Sequence, residues 1–199
     1  MRDELARGQM DVAVYQEDLE QLQKSLQVCR RIFGGMLSFA RGGARRISAG
    51  HVRAAVETAL AILKNGMDRR GIQLRVEIPD NLPSVACVQS DLEQVLLNLL
   101  TNAREASSQG GTVTVCALPR DEGALISVID TGSGIAAENL PRVLEPFFTT
   151  KPDGSGLGLT ICRSIVWEAG GVIGVESEPD RGTRVNVTVP WAEATAQRP

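Results

Sequence analysis

Three polar side chains interrupt an otherwise apolar segment, "DLEQVLLNLLTNAREASS" (91–108). Asn98, Asn102 and Glu105 lie at i, i+4 and i+7, so a helix would place them on one face among leucines. A buried amide without a partner costs about 1–3 kcal/mol, so this stripe needs polar partners from outside the helix. Oxygen ligands on one rigid face suit Mg²⁺ held jointly with phosphates; hydrogen bonds to neighbouring loops, or a solvent-facing stripe, are the structural alternatives.

A second candidate site follows the apolar strand in "ISVIDTGSGI" (126–135). The strand carries Asp130 to its end, where an ionised carboxylate after so many apolar residues requires a donor, such as the exocyclic amine of adenine. Gly132 and Gly134 allow the backbone to approach a flat ligand without interference from a Cβ. The motif by itself is equally compatible with a strand-ending Asp that caps a turn.

Two later segments contain residues suited to phosphate. "EPFFTTK" (145–151) places two phenylalanines beside Lys151, which would form either a hydrophobic latch with a cation or ordinary core anchors. "GSGLGL" (154–159) runs into a predicted helix, whose free N–H groups and positive dipole end favour phosphate. It lacks the Gly-Lys-Ser/Thr of a Walker loop, and it comes too late for the first βα turn of a Rossmann unit.

The elements that position these residues follow from hydrophobic periodicity and turn residues. Helices are predicted over 51–69, 91–108 and 157–168, with a short one around 136–144; Ser48 and either Ser90 or Asp91 are the predicted N-caps. Strands are predicted over 72–78 (half-buried), 112–118, 124–130, 172–177 and 183–190, with a short edge strand at 84–88. This order predicts an α+β fold, a two-layer α/β sandwich with helices on one face of a mixed sheet.

The N-terminal segment has its own periodicity. Between Val12 and Ala40 the apolar residues alternate spacings of three and four, an a/d stripe of about four heptads. The stripe predicts a long coiled-coil-like helix that stops at "RGGARR" (41–46). One helix cannot bury such a stripe alone, so association is favoured over packing on the chain's own core.

Composition limits the classes of protein. The 199 residues accommodate one domain of ordinary size and an appendage, and the net charge of −3 argues against a general nucleic-acid binder. No apolar run approaches the roughly 18 residues of a membrane span, and "MRDELARGQM" lacks a signal peptide's apolar core. The four cysteines are far apart in apolar stretches, which indicates buried, reduced thiols and a cytoplasmic location.

The order of these motifs resembles one family. "QVLLNLLTNAREA", "DTGSGI", "EPFFTTK" and "GSGLGL" are similar, in sequence order, to the N box, first glycine box, F box and second glycine box of sensor histidine kinases, and "DRGTRVNVTVP" to their closing strand. The resemblance covers about residues 70–190 and implies the ATP-binding catalytic domain of the GHKL superfamily, which includes gyrase, heat-shock 90 and mismatch-repair ATPases, with its Bergerat-type mixed sheet.

The resemblance implies Mg²⁺ and ATP under a lid over 131–156. Asn102 would hold the metal, Asn98 and Lys151 would be catalytic with Arg142 as a second cation, and Asp130 would accept from the adenine amine. Some family members have a basic residue where this chain has Glu105 beside Arg104, and either could face the nucleotide. The nucleotide-binding set implied is Asn98, Asn102, Glu105, Asp130, Gly132, Gly134, Ile135, Lys151, Gly154, Ser155, Gly156, Leu157, Gly158, Leu159 and Thr183.

The family pattern also implies domains and partners. Residues 1–45 resemble the second helix of a dimerisation hairpin with its linker, and 46–195 the catalytic domain. The single histidine, His51, lacks the acidic residue and the proline that follow a phosphoacceptor, so the acceptor is expected on another segment or chain, without self-phosphorylation. The implied partners are that acceptor helix, a response regulator and a second copy, with no nucleic acid; a membrane anchor in a parent protein stays open.

Three functional hypotheses result. The first is the catalytic core of a sensor histidine kinase in two-component phosphorelay signalling. The second is a regulatory ATP-binding module that dimerises without phosphoryl transfer. The third is a coiled-coil interaction protein with incidental glycine loops.

Overall fold

The computed structural model describes residues 49–152 and 154–192, all within one compact unit, Arg45–Pro199. The predicted N-terminal helix, its association, Cys29 and the cap at Ser48 lie outside these residues, and the domain boundaries stay a prediction. Within the described ranges, no helix is long and apolar enough to cross a membrane.

Helices and strands alternate irregularly along the described chain. In order they are α1 (Val52–Arg69), β1 (Gln73–Glu77), α2 (Gln89–Ala106), β2 (Thr112–Arg120), β3 (Gly123–Asp130), a 3₁₀ helix (Leu140–Arg142), α3 (Gly158–Glu168), β4 (Val172–Glu178) and β5 (Gly182–Pro190).

The strands form one mixed sheet with the order β1-β2-β3-β5-β4. β1 pairs with β2 in parallel, and the other pairs are antiparallel. Side chains alternate between the two faces, so Val113, Val115 and Ala117 of β2 are buried under the helices. This confirms the predicted two-layer α/β sandwich with a mixed sheet.

The helix α2 is the centre of the helical layer and packs against α1, α3 and the sheet. Six of its apolar residues are buried and Leu97 is partly buried, so the polar side chains of α2 are confined to the rest of its surface. The buried residues are Leu92, Val95, Leu96, Leu99, Leu100 and Ala103. Among the polar side chains, Asn98 and Asn102 are half-buried and Glu105 is exposed. The packing therefore fixes the direction in which these three side chains point.

Several local predictions were wrong. Residues 84–88 form no strand, because Val85 makes only isolated bridges to Gly50 and Trp191. The helix α2 begins before both predicted caps, with Val88 in the cap position and no side-chain cap. The segment 136–144 contains only the 3₁₀ turn. The strand predicted over 72–78 is shorter, Gln73–Glu77, but its half-buried character is confirmed, since Ile72 and Ile78 are buried while Val76 is exposed.

The cysteines agree only in part with the prediction. Cys87 and Cys162 are buried, whereas Cys116 is half-buried, because alternation along β2 turns it away from the helices. Burial, with smaller contributions from Asp91 and Glu168, raises the pKa of the Cys87 thiol to about 12. That thiol is therefore protonated and inert at neutral pH.

Candidate active site

On the face of the sheet that the helices cover, the last row of paired residues is polar. Val128, Val185 and Val175 pair across β3, β5 and β4, and the next row on the same face consists of Asp130, Thr183 and Ser177. Paired residues on neighbouring strands point to the same side, so the three polar groups lie together where the apolar core stops. Asp130 and Thr183 were predicted as site residues; Ser177 was not.

The Asp130 carboxylate is almost fully buried, with 6% of the residue exposed. Its Oδ1 accepts hydrogen bonds from the backbone N–H groups of Gly132 (2.9 Å) and Thr183 (3.3 Å). Burial raises the pKa of Asp130, and these two bonds and the charge of Lys151 oppose the shift only in part. Both bonds found in the described chain go to Oδ1, so Oδ2 is left for a ligand that donates.

The glycine loop after Asp130 is held by close backbone contacts. A Cβ on Gly132 would collide with the carbonyl oxygen of Ala106 at the end of α2. Ser133 N–H donates to that same oxygen (3.2 Å), and the Ser133 carbonyl accepts from Asp180 N–H (2.8 Å). The loop is therefore fixed between α2 and the β4–β5 turn.

Gly134 provides a test of this packing. Its φ is +66°, and an added Cβ would collide with the carbonyl oxygen of Glu178. Gly134→Ala should therefore lower the free energy of unfolding by about 2–4 kcal/mol, from the left-handed backbone and from displacement of the β4–β5 turn. Urea denaturation followed by circular dichroism measures the change.

Gly110 is the matched control, because its φ is +78° and nothing lies within 4 Å of the added Cβ. Gly110→Ala should cost only the backbone term of about 1–2 kcal/mol. If the two substitutions lowered the free energy of unfolding equally, the argument from packing would be wrong.

The polar face of α2 holds the lysine of the phenylalanine segment. Lys151 Nζ donates to Glu105 Oε2 (2.5 Å) and to Asn102 Oδ1 (3.5 Å), across 46 and 49 positions of the sequence. Arg104 lies on the other side, since its guanidinium is 3.1 Å from the place of a Cβ on Gly66 of α1. Glu105, not Arg104, thus shares a face with Asn98 and Asn102.

Asn98 connects this face to the start of α3. Its Nδ2 donates to the carbonyl of Gly158 (3.3 Å), and its Oδ1 accepts from Gln94 (2.9 Å). The start of α3, where the first N–H groups have no partner within the helix, therefore lies against the polar face of α2. Leu157, before the helix, is buried and Leu159 packs against the core, whereas the glycines are half-buried and Ser155 is exposed.

The phenylalanine segment (145–151) contains a non-glycine residue in the left-handed backbone region. Phe147 is 69% exposed and has a φ of +63°, and Gly156 packs so closely on its backbone that an added Cβ would collide. Phe148 is half-buried under the Arg142 guanidinium, 4.4 Å from the ring centroid. Arg142 therefore stacks on Phe148 and pairs with Glu145, whereas Lys151 contacts α2.

Most predicted site residues thus surround the C-terminal half of α2. Asn98 contacts the start of α3, Asn102 and Glu105 bind Lys151, and the loop at Gly132 packs on Ala106. Arg142 is instead engaged within its own segment. Ile135 donates its N–H to Ser177 Oγ (2.8 Å), the residue that sequence motifs missed. Its only signal was the six-residue spacing to Thr183 across a predicted hairpin turn.

Comparison with known proteins defines the family. Residues 87–193 match the family of histidine kinase-, DNA gyrase B- and HSP90-like ATPases. The sensor histidine kinase ZraS of Escherichia coli is 34% identical over 169 residues, which span 85% of this chain and 36% of ZraS. Sporulation kinase E of Bacillus subtilis is 36% identical over 150 residues, 74% of this chain and 20% of that kinase. The chain thus spans little more than a third, or less, of these relatives.

Solved structures of histidine kinases are similar to this chain as well. The nucleotide-free catalytic domain of the histidine kinase ThkA has a TM-score of 0.67 at 28% identity, covering 74% of this chain and 97% of that one. Full-length ShkA in complex with AMPPNP has a TM-score of 0.71 at 28% identity, covering 92% of this chain and 39% of that one.

The chain belongs to the family of histidine kinase-, DNA gyrase B- and HSP90-like ATPases. Within that family it is an ATP-binding catalytic domain of the histidine-kinase type.

Proposed function

We propose that this chain binds Mg-ATP and transfers the γ-phosphoryl group to a histidine on another segment or chain. The observation that carries the proposal is the buried Asp130 carboxylate, together with a separate cluster in which amides and a carboxylate of α2 hold Lys151. The first group suits an amine-bearing base, and the second suits a metal and phosphates. The kinase names of the relatives favour this activity over a purely regulatory module.

The adenine would occupy the end of the sheet. Asp130 Oδ2 would accept from its exocyclic amine, with Thr183 beside it in the same row. Gly132, Gly134 and Ile135 would line one side of the base, because their backbone is fixed there against α2 and Ser177.

The cluster on α2 fits a hard cation. The Lys151 ammonium lies between Asn102 Oδ1 and Glu105 Oε2, so a positive charge already occupies the place proposed for Mg²⁺. Amide and carboxylate oxygens are ligands that Mg²⁺ accepts, usually with several waters and the phosphates themselves. We propose Asn102 as the metal ligand and Glu105 as its charged neighbour.

The phosphates would lie over the start of α3. The proposed contacts are the backbone N–H groups and side chains of Gly154, Ser155, Gly156, Leu157, Gly158 and Leu159. When the nucleotide binds, Lys151 would exchange Glu105 for phosphate oxygens. Lys151 and Asn98 would then orient the γ-phosphate and stabilise its charge, and a magnesium ion held by Asn102 would supply further positive charge. Positioning and electrostatics supply most of the catalysis in such reactions.

The acceptor histidine is proposed to lie outside residues 49–192. His51 is exposed at the cap of α1, and its backbone N–H is held by Gln89 Oε1 at 2.8 Å. We propose the helix of a phosphoacceptor hairpin as substrate, a response regulator as the next recipient, and a second copy joined through the N-terminal helix, in the cytoplasm.

Phosphoryl transfer to a separate hairpin tests this function. The full chain should label an added histidine-kinase hairpin with radiolabelled ATP, and the label should be lost when the hairpin's histidine is changed to glutamine. His51→Gln should leave the rate unchanged, because that residue is not the acceptor. ATP binding without any transfer would contradict the kinase proposal and favour the regulatory module.

A further inference from the structure

The Ser177 hydroxyl is the centre of a hydrogen-bond network at the end of the polar row. Its Oγ lies 2.8 Å from Ile135 N, 2.8 Å from the Gly182 carbonyl oxygen and 2.9 Å from Thr183 Oγ1. The network thus joins the glycine loop, the β4–β5 turn and Thr183, a residue of the proposed base site.

Counting protons fixes the direction of these bonds. A hydroxyl has one proton and two acceptor positions, a backbone N–H only donates and a carbonyl only accepts. Ser177 therefore accepts from Ile135 and donates to Gly182. All three bonds form together only if the Thr183 hydroxyl donates to Ser177; the reverse direction would take the Ser177 proton away from Gly182.

In this arrangement the hydrogen-bond donors around Asp130 and Thr183 are all engaged within the protein. Thr183 gives its N–H to Asp130 Oδ1 and its O–H to Ser177, and Gly132 gives its N–H to the same Asp130 oxygen. What stays available is Asp130 Oδ2 and a lone pair of Thr183 Oγ1. Among these groups of the described row, those left for a ligand are therefore acceptors.

We propose that Ser177 is a positioning residue for base selectivity, because it holds the Thr183 hydroxyl as an acceptor. An exocyclic amine, as in adenine, matches an all-acceptor wall. An oxo group at the same position, as in hypoxanthine, meets two acceptors and stays unpaired in a buried site. The inference rests on the proposed nucleotide site.

The test compares the affinities for ADP and inosine diphosphate by titration calorimetry of the full chain. Ser177→Ala frees the Thr183 proton to turn toward the ligand, so the ratio of the two affinities should fall by about 5- to 10-fold. A purely structural role would lower both affinities and leave their ratio unchanged. Ser177→Thr, which keeps the hydroxyl, should retain the wild-type ratio, and Ser164→Ala on the exposed side of α3 is the matched control.

A second variant pair keeps the test decisive if Ser177→Ala does not fold. Thr183→Ser should keep the ratio, whereas Thr183→Val should lower it, and adding Ser177→Ala to Thr183→Val should change it no further. An unchanged ratio in Thr183→Val or in folded Ser177→Ala would overturn the inference alone. Failure of the wild-type chain to bind ADP would overturn the nucleotide site and the inference with it.

Discussion

Asp130→Asn should weaken ADP binding by about 100-fold without lowering the stability of the nucleotide-free domain. The asparagine oxygen can still accept from Gly132 and Thr183, so the fold keeps both hydrogen bonds. Its NH₂ group, however, would lie opposite the exocyclic amine of adenine. Both groups are donors, so no hydrogen bond can form between them. Titration calorimetry and thermal denaturation on the same samples measure the two effects separately.

The pH dependence of stability tests the burial of Asp130, because the direction of the expected change is known. Because burial raises the pKa of Asp130 in the folded state, its contribution to stability is complete below the unfolded pKa and decreases as pH rises through the folded pKa. Asparagine does not ionise there, so Asp130→Asn should gain stability relative to wild type as pH rises from about 4 to neutrality.

The matched control is Asp121→Asn in the exposed turn between β2 and β3. It should change neither ADP affinity nor the pH dependence of stability. Unchanged ADP affinity in Asp130→Asn would show that this carboxylate does not bind the base, and a stability difference independent of pH would contradict the argument from burial.

Asn102→Ala should reduce phosphoryl transfer by about 100- to 1,000-fold, because it removes the proposed ligand of the metal that neutralises phosphate charge. The effect should appear as a loss of magnesium dependence. Wild-type chain is expected to bind ADP more tightly when Mg²⁺ is added, and the variant should bind ADP equally with and without it. Calorimetry in magnesium and in chelator measures this difference without relying on activity.

Asn65→Ala, an exposed substitution of the same type on α1, controls for the loss of an amide from a helix. It should keep both the transfer rate and the magnesium dependence. If Asn102→Ala still bound ADP more tightly with magnesium, the metal would be held elsewhere, and Glu105, which lies beside Lys151 on the same face, would be the next candidate.

The local sequence was sufficient to predict those features of the fold and the site that depend on periodicity. The spacing of Asn98, Asn102 and Glu105 sets them on one face of a helix wherever that helix lies, and the sequence pattern located the strands β2 and β3. The glycines before α3 and after β3 were found from the sequence, but the contacts that exclude a Cβ at Gly132 and Gly134 come from the distant residues Ala106 and Glu178. The start of α2 and the segment 84–88 were misjudged, since Val85 is held by bridges to distant Gly50 and Trp191.

By itself, then, the sequence determined which groups this protein possesses and on which side of each element they stand, since the helix and strand repeats are properties of the backbone. Only the tertiary structure decided which groups meet. Asp130, Thr183 and Ser177 form a row because antiparallel register aligns three strands, and Lys151 reaches Glu105 across 46 positions because the segment that carries it folds back on α2. The strand register and the position of the segment that carries Lys151 are set by packing between parts of the chain that are distant in sequence, and no local repeat predicts such packing.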